Sequence, residues 1–424
     1  FWAPHWATDD APGPRARTDI DPAAYADFAA AVARRYAGDF TPPAPPADAP
    51  PPAPSQDEEL LDSLLGPGSP FRGSIGPRRA AAAQAPGPLP RVDQFALYNE
   101  PNHQALLLPQ WSGQTPVSPQ RYRQMVQAAY PAVKSVSPGA AVLIGNTSST
   151  GGRRRGAGSV APLEFVRELA CVDSRFRPRT TPECNGFQAV PGDGFAHHPY
   201  SQNEKPSRRS SPRTERGDVR IADLPVLAHT LDRLVKLGRL APGNRAIHLT
   251  EFGYETERVP GRPTISQATQ ARWLTWAEYL ADRVPAVRSF AQFLLRDQAK
   301  APQRVSDSTS RPFGEFSTGL LRSDGSEKIA ARTFQAGLFA ERRRGGRTLL
   351  YGRLRLGPGV KTIVVQRRVG RQAWRRVARV RADGRATFTR TVRHRGAARY
   401  RLTYPGARGR RAAGLPVTPV LAGR

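Results

Sequence analysis

The feature that most constrains the fold of this chain is a repeated alternation of short apolar runs with amphipathic helical segments. The apolar runs cover residues 92–98, 140–146, 194–200, 245–250 and 287–295. Runs this short and apolar are typical of strands buried on both faces, and no two of them are joined by a tight hairpin turn. The pattern predicts a parallel sheet covered by helices, either a barrel of eight βα units or a doubly wound sheet. The phosphate-binding glycine loops of nucleotide folds are absent, which favours the (β/α)8 barrel.

The helical segments between these runs carry apolar residues at helical spacing. They are predicted at residues 21–36, from 118 onwards, and at 162–170, 221–237, 266–284 and 327–339. Asp21-Pro22 supplies an acidic N-cap and a first-turn proline. In the second helix, Pro131 predicts a kink or an early end, because proline lacks the N–H that an interior helical position requires.

Two regions depart from this alternation. Residues 41–55 read TPPAPPADAPPPAPS, a polyproline-like stretch that cannot form a core, and we interpret residues 41–90 as a surface insertion. From about Arg347 the pattern becomes apolar residues alternating with Arg or Thr, and Asp383-Gly384 indicates a hairpin. The sequence therefore predicts a barrel domain over 1–340 and an antiparallel, immunoglobulin-like β-sandwich over 345–424.

The charge of the chain is concentrated in that second domain. The net charge is +29, and residues 345–424 contain 20 Arg, one Lys and one Asp, a net charge of +20. A nucleic-acid partner is the first hypothesis for such a balance. Because the arginines alternate with apolar residues, we expect them to form the solvated face of the sandwich, with no nucleic-acid partner. An anionic cell-wall polymer remains an alternative partner. No apolar run is long enough to cross a membrane.

The two cysteines, Cys171 and Cys184, lie 13 positions apart around a polar loop. In an exported protein such a pair would form one disulfide, and the alternative is two unrelated thiols. We favour the disulfide. The pair is too small a set for a zinc site, and no histidine lies within ligand spacing of either cysteine.

Polar side chains recur where the predicted strands end, which is where a barrel gathers its functional groups. They are Asn99-Glu100, Asn146, 197–200, Glu251 and Arg296-Asp297. Two of these side chains are glutamates, and glycoside hydrolysis requires two carboxylates that face each other across a sugar. Pro101 favours an extended backbone at Glu100, which would help to hold that carboxylate in place.

The motifs LYNEPN and HLTEFGY, at residues 97–102 and 248–254, resemble the two catalytic strand ends of clan A glycoside hydrolases. The similarity is greatest to relatives of family 39 and of the cellulase family 5. FAHHPYS, at residues 195–201, resembles the sixth strand of the same barrels, and the resemblance covers about residues 1–340 apart from the insertion. It implies that Glu100 is the general acid/base and Glu251 the nucleophile.

The same resemblance implies a set of substrate-binding residues. Asn99 would hydrogen-bond the sugar hydroxyl next to the reacting carbon, and His198 and Tyr200 would orient Glu251 or the sugar. The remaining members of the implied set are Trp2, His5, Trp6 and Tyr254. For the histidine, the tyrosines and the tryptophans, the alternative is packing in the wall of the fold. Glu255 and Glu257 are rival carboxylates that follow Glu251 on the loop. The pKa of Glu100 should be raised, and Glu251 should be ionised.

In the resemblance Glu100 ends the fourth strand, so the first two to three strands of the barrel are not in this sequence. We expect the sequence to be a fragment that lacks this portion and any signal peptide. A closed eight-stranded barrel within residues 1–340 would contradict that expectation.

The function predicted from the sequence is that of a secreted or cell-surface retaining glycoside hydrolase that acts on a poly- or oligosaccharide, with no cofactor and no metal. Two alternatives stay open: a non-catalytic barrel that binds polysaccharide at the cell surface, and an adhesion role for the basic sandwich. The sugar, the linkage and the oligomeric state are not predicted.

Overall fold

The computed structural model describes residues 3–7, 17–43, 87–257, 263–299, 316–406 and 410–421. The Pro-rich insertion predicted at 41–90 lies outside the described residues except for its two ends. These ends meet, because the Leu89 N–H donates to the Phe40 carbonyl at 2.8 Å. The predicted insertion therefore leaves and rejoins the described chain at neighbouring points.

Six α-helices and fifteen strands are formed by the described residues. The helices are α1 Pro22–Arg35, α2 Ser118–Val136, α3 Pro162–Leu169, α4 Leu224–Lys236, α5 Gln267–Asp282 and α6 Ile329–Gln335. The first seven strands are β1 Gln94–Ala96, β2 Trp111–Ser112, β3 Thr115–Pro116, β4 Ala141–Thr147, β5 Gly194–His197, β6 Ile247–Leu249 and β7 Val287–Phe290. Among all the described residues, no helix has the length and apolar character that a bilayer span requires.

The first part of the chain is built on one five-stranded sheet in the order β1-β4-β5-β6-β7, with every pair parallel. Apart from the β2–β3 hairpin, the strands follow one another in chain order with helices between them, as the alternation in the sequence predicts. The sheet is open. Within the described residues up to 340 there are five parallel strands and no closed eight-stranded barrel.

The main core lies between this sheet and its helices. Each strand supplies apolar side chains and each helix covers them with its inner face. The principal members are Phe95, Val142, Phe195, Ile247 and Leu249 from strands, and Tyr25, Tyr122, Met125, Phe165, Leu227 and Leu274 from helices. This packing fixes the strands relative to one another and therefore fixes what lies at their carboxyl ends.

Of the two outcomes predicted for Pro131, a kink or an early end, the structure excludes the early end, because α2 continues to Val136. Side chains on either side of the proline are anchored to the same carboxylate. Tyr130 donates to Asp193 at 3.0 Å and Lys134 forms an ion pair with it at 2.7 Å. These tertiary contacts hold the last turns, which local propensity alone would have broken.

The C-terminal part is a sandwich of two four-stranded sheets. Its strands are β8 Ala336–Arg343, β9 Arg347–Leu354, β10 Val360–Val369, β11 Arg375–Asp383, β12 Thr387–Arg393, β13 Ala398–Pro405, β14 Arg411–Ala413 and β15 Val420–Leu421. The sheet orders are β11-β10-β13-β14 and β12-β9-β8-β15. The two sheets share a core that includes Leu350, Ile363, Val365, Tyr400 and Leu402. The immunoglobulin-like comparison stays a prediction.

Two sequence predictions in this region are wrong. Asp383-Gly384 does not form a hairpin, because β11 and β12 lie in different sheets and the turn carries the chain across the sandwich. The last helix ends at Gln335 and not at Phe339, and Ala336–Arg343 is a strand paired with β9. The sandwich therefore begins before the predicted boundary at 345, because pairing with β9 overrides a helix-like local pattern.

The sandwich and the parallel-sheet part share an aromatic contact. Phe339 of β8 stacks on Trp276 and Tyr279 of α5 with ring centroids 5.4 and 4.6 Å apart, and Tyr351 of β9 packs on Tyr279 at 5.3 Å. An ion pair between Arg355 and Glu278 borders the contact. Buried side-chain contacts with α5 therefore join the two parts, in addition to the covalent connection of the chain.

The predicted disulfide between Cys171 and Cys184 is present, with Cα atoms 5.7 Å apart. It closes the loop that follows α3. Arg239 donates to the carbonyls of Ala170 and Cys171, each at 2.9 Å, and ties the start of this loop to the end of α4.

Candidate active site

Four polar side chains are brought together at the carboxyl ends of four adjacent strands. Glu100 follows β1, Asn146 lies at the end of β4, His198 follows β5, and Glu251 follows β6. Backbone hydrogen bonds continue the sheet into this region: Glu100 N–H donates to Asn146 O at 3.0 Å, and His198 N–H donates to Thr147 O at 2.9 Å. The parallel sheet therefore collects residues that lie up to 151 positions apart, as the sequence predicted.

The backbone of this edge contains unusual conformations. Tyr98, Glu100 and Asn146 have φ of 57°, 45° and 46°. A positive φ costs free energy in a residue other than glycine, and residues with this backbone conformation cluster at functional sites. The expectation that Pro101 would hold Glu100 extended is wrong. The hydrogen bond to Asn146 O and the turn in which His103 N–H donates to Glu100 O at 2.8 Å outweigh the preference for an extended residue before proline.

His198 lies between the two glutamates. Its Nδ1 is 2.9 Å from Glu100 Oε1 and 3.5 Å from Glu251 Oε2, and its Nε2 is 3.0 Å from Asn146 Oδ1. The Asn146 amide is oriented by its own donations to Tyr98 O at 2.9 Å and Asn99 Oδ1 at 3.2 Å, so that its oxygen faces the imidazole. Both ring nitrogens therefore face oxygen acceptors. This is the environment of an imidazolium, which donates from both nitrogens.

Glu251 is positioned by an aromatic neighbour. Tyr200 donates its hydroxyl to Glu251 Oε2 at 3.0 Å, and its ring lies parallel to Phe252 at 6.3 Å and edge-on to Phe293 at 6.4 Å. The side chains of Glu100 and Glu251 keep 16% and 25% of their surface exposed. An oxygen of each carboxylate and a ring nitrogen of His198 all lie within 4.8 Å of one another. The two carboxylates are thus close together, oriented, and open to solvent on one side.

The charges in this cluster shift one another's titration. Burial would raise the pKa of Glu100, but the hydrogen bond and positive charge of His198 outweigh it, and the pKa lies below its usual value. Burial likewise opposes a charged His198, but Glu251 and Glu100 raise the pKa of this imidazole above 6.5. Burial and the charge of Glu100 raise the pKa of Glu251 against the opposing effect of His198. These directions are the reverse of those expected from the sequence, because His198 contacts Glu100 more closely than Glu251.

The three groups of this cluster are also the one set in the described residues whose ligand atoms converge closely enough for a metal ion. His198 could ligate through Nδ1 only after losing the proton that it donates to Glu100. The geometry around both ring nitrogens is that of a hydrogen-bond donor. We therefore interpret the set as a cluster that shares a proton.

The neighbouring histidine has a different environment, although the sequence places the two side by side. His197 is fully buried, with Nδ1 2.8 Å from the Thr147 hydroxyl and Nε2 2.9 Å from the Val219 carbonyl. Burial lowers the pKa of His197 to about 4, so it is neutral and links β5 to β4 and to the loop before α4. His198, and not His197, therefore contacts the two glutamates.

The remaining predicted residues divide between those at the site and those elsewhere. Asn99 accepts a hydrogen bond from the Asn146 Nδ2 group through Oδ1, which joins it to the cluster. Trp6 is 62% exposed and packs its ring edge-on against Phe28 of α1 at 6.2 Å, so it contacts a helix and none of the cluster residues in the described contacts. His5 starts a short 3-10 turn, but its side chain lies outside the described residues, as does Trp2.

Tyr254 is placed in the core of the fold. It is 1% exposed, it packs between Phe252 and Trp273, and its hydroxyl donates to the Glu204 carbonyl at 3.2 Å. Its position two residues beyond Phe252 directs it into the core between sheet and helix. The motif resemblance could not distinguish this core position from a wall of the pocket.

The rival carboxylates and two overlooked residues complete the neighbourhood. Glu255 accepts from the N–H and hydroxyl of Ser317 at 2.7 and 2.6 Å, which directs it to a loop contact. Asn146 and Thr250 were not among the predicted site residues, yet the Thr250 hydroxyl donates to Asn146 Oδ1 at 2.8 Å and joins β6 to the cluster. Both lie at predicted strand ends, and that position was the signal that could have identified them.

No protein-family model matches the chain, and no curated protein matches it. The solved structures that it resembles include glycosidases. One is an FMN-binding beta-glucuronidase from Facaelibacterium prausnitzii L2-6, at 12% identity and a TM-score of 0.33, over 80% of this chain and 42% of that one. A beta-glucuronidase 2 from Bacteroides uniformis matches at 11% identity and a TM-score of 0.34, over 79% and 35%. A glucosidase from Croceicoccus marinus matches at 13% identity and a TM-score of 0.40, over 91% and 75%.

The chain thus spans less than half the length of the two glucuronidase chains.

Proposed function

We propose that the protein is a retaining glycoside hydrolase in which Glu251 is the nucleophile and Glu100 the general acid/base. The observation that carries the proposal is the close approach of the two carboxylates, with an oxygen of each within the same 4.8 Å. Retaining enzymes hold their carboxyl groups about 5–5.5 Å apart, whereas inverting enzymes leave about 6.5–9.5 Å for a water molecule. The spacing in this cluster fits direct attack by one carboxylate.

In the first step a Glu251 oxygen forms a bond to the anomeric carbon while the bond from that carbon to the leaving oxygen breaks. The leaving oxygen takes a proton from Glu100. In the second step Glu100 removes a proton from water, the resulting hydroxyl bonds to the anomeric carbon, and the Glu251 carboxylate is released. Tyr200 holds Glu251 through its hydroxyl, and Asn99 faces the reacting sugar with its Nδ2 group.

The proton for the first step is stored in the cluster. With His198 as an imidazolium and both carboxylates ionised, the three groups hold one dissociable proton, the same number that the catalytic form needs on Glu100. The 2.9 Å hydrogen bond from His198 Nδ1 to Glu100 Oε1 is the path along which this proton moves. A sugar that displaces water from the carboxylates would raise the cost of keeping them both charged and would favour that transfer.

Substitution of each glutamate tests the proposal. We expect Glu100→Gln to lower kcat/KM by about 10²–10⁴-fold and Glu251→Gln to abolish turnover, measured on a panel of chromogenic aryl glycosides. Both variants should still bind the oligosaccharide. Glu255→Gln is the matched control and should retain activity, because that carboxylate contacts the Ser317 loop.

The anomeric configuration of the product tests the retaining mechanism, and binding without cleavage would indicate a non-catalytic protein. Proton NMR of the first sugar released should show the anomeric configuration of the substrate, and inversion would overturn the retaining mechanism. A wild-type protein that binds oligosaccharide but cleaves no glycoside of the panel would instead be the non-catalytic binding barrel. The proposal includes export from the cell or display on its surface, which the Cys171–Cys184 disulfide supports because disulfides persist in oxidising compartments.

A further inference from the structure

The outer sheet of the sandwich, β11-β10-β13-β14, presents a surface of arginines. Strand register separates its two faces: Ile363 lies opposite Val380 and Val365 opposite Leu402 on the core side. The residues between them point outward. The outward arginines of the three longer strands, which we call the arginine face, are Arg368, Arg376, Arg379, Arg381, Arg399 and Arg401.

Within the described part of the chain, none of the arginine-face residues forms an ion pair. Two other arginines of the sandwich do form ion pairs, Arg355 with Glu278 and Arg343 with Glu341. The one acidic residue of 345–424, Asp383, uses its two carboxylate oxygens to accept from the N–H groups of Arg385 and Gly359. The six arginines of this face therefore have one nearby carboxylate, Asp383, which forms no ion pair with them. Arg368 and Arg399 lie directly opposite each other, where like charges destabilise a sheet.

Part of this face is held in place for binding. Arg401 donates to Gln366 Oε1 at 2.8 Å, and its guanidinium lies 4.3 Å from the centre of the Trp374 ring. Arg368 lies 4.9 Å from the same ring, and its Nε is buried with no hydrogen-bond acceptor. Guanidinium groups fixed in this way lose less side-chain entropy when they bind a carboxylate through two hydrogen bonds.

We propose that the arginine face binds an acidic polysaccharide whose sugars carry carboxylates. Charge complementarity selects an anionic polymer, and the geometry disfavours nucleic acid. Proteins that bind single strands interleave several aromatic platforms with their basic residues, whereas this face has the one Trp374, already held beside two arginines. A four-stranded sheet is also too broad for the major groove of DNA, which admits a helix or a two-stranded ribbon. The choice of carbohydrate among anionic polymers rests on the glycosidase function proposed above.

The experiment uses the full chain carrying Glu100→Gln, so that hydrolysis does not disturb the measurement. Binding of polygalacturonate is measured by calorimetry at low and high salt, with dextran as the neutral polymer and single-stranded DNA as the nucleic acid. The test variant adds Arg376→Gln, Arg379→Gln, Arg381→Gln and Arg399→Gln. The matched control adds the same number of exposed arginine changes outside the arginine face, at Arg347, Arg385, Arg390 and Arg393.

We expect polygalacturonate to bind with an affinity that falls at high salt, and the test variant to lose about tenfold or more in affinity. The control should lose no more than about twofold, and dextran should not bind. Equal losses in test and control variants, no binding of polygalacturonate, or equally tight binding of DNA through the same arginines would overturn the proposal. With the native Glu100, the test variant should cleave small aryl glycosides at the normal rate. If the wild-type protein cleaves no glycoside while this binding persists, the proposed glycosidase function is wrong, but the proposal that the arginine face binds acidic polysaccharide is supported.

Discussion

At the scale of the residue, His198 decides the electrostatics of the candidate active site. The sequence indicated which residues would meet, but the direction of each pKa shift depends on distances of a few ångströms. His198 Nδ1 is 2.9 Å from Glu100 and 3.5 Å from Glu251, and this difference gives Glu100 the lowered pKa. Asn146 favours the charged form of His198, because its Oδ1 accepts a hydrogen bond from His198 Nε2. The groups form one titrating unit, and the proton that the proposed mechanism requires belongs to the unit as a whole.

The two adjacent histidines have opposite environments, so their contributions to stability should change with pH in opposite ways. The pKa of His198 is raised in the folded protein, so its stabilising effect is complete below about pH 6.5 and is lost as the pH rises through the folded pKa. We expect the stability difference between the wild type and His198→Gln to shrink from pH 6 to pH 9. Urea unfolding at constant ionic strength measures this difference.

His197→Gln is the matched control with the opposite sign. The pKa of His197 is lowered to about 4, so the wild type loses stability relative to this variant as the pH falls from about 6.5 towards 4. A stability difference for His198→Gln that stays constant across the alkaline range would contradict its assignment as an imidazolium.

At the scale of the element, the end of β4 carries the geometry of the site. Gly145 has a φ of 86°, and its N–H donates to the Tyr122 hydroxyl at 2.9 Å. The next residue, Asn146, turns its amide towards His198. A Cβ added at Gly145 would lie 2.5 Å from the Phe195 ring on β5. The close approach of two strands therefore requires glycine here, and the strand end depends on it.

Gly145→Ala tests this dependence. We expect a loss of about 1–3 kcal/mol in unfolding free energy from the clash with Phe195, together with a fall in kcat as Asn146 and His198 shift. Gly113→Ala is the control, since Gly113 also has a positive φ, of 55°, but has no atom within 4 Å of an added Cβ. Denaturant unfolding and glycosidase rates measured on both variants separate the clash from the backbone cost. Equal effects of the two substitutions would show that close packing at β4 is not the cause.

At the scale of the whole molecule, α5 belongs to both parts of the structure. Its inner face covers the parallel sheet through Ala271, Leu274 and Ala277, and its outer face packs Trp276 and Tyr279 on the sandwich. Deletion of residues 345–424 would therefore leave β8 unpaired and expose these aromatic rings to water. For this reason the role of the sandwich is tested better by surface substitutions than by truncation.

The shared helix predicts that the two parts unfold together. Phe339 is 5% exposed, and Phe339→Ala should cost about 3–5 kcal/mol and lower the temperature of one common calorimetric transition. Val360→Ala, at a position 65% exposed, should leave that transition unchanged. Two separate transitions, of which Phe339→Ala shifts one alone, would contradict the coupling.

Local patterns in the sequence determined the order of strands and helices, the parallel sheet, the place of Glu100 and Glu251 at strand ends, and the disulfide pair. Side-chain periodicity and motif order are properties of short segments, so the sequence carries them directly. Tertiary structure alone decided that α2 passes Pro131, that Ala336–Arg343 is a strand, that Tyr254 is buried, and that Glu100 has the lowered pKa. Each of these depends on contacts between segments far apart in the chain. Such contacts outweigh local propensity because packing and charge act over distances in space and not over positions in the sequence.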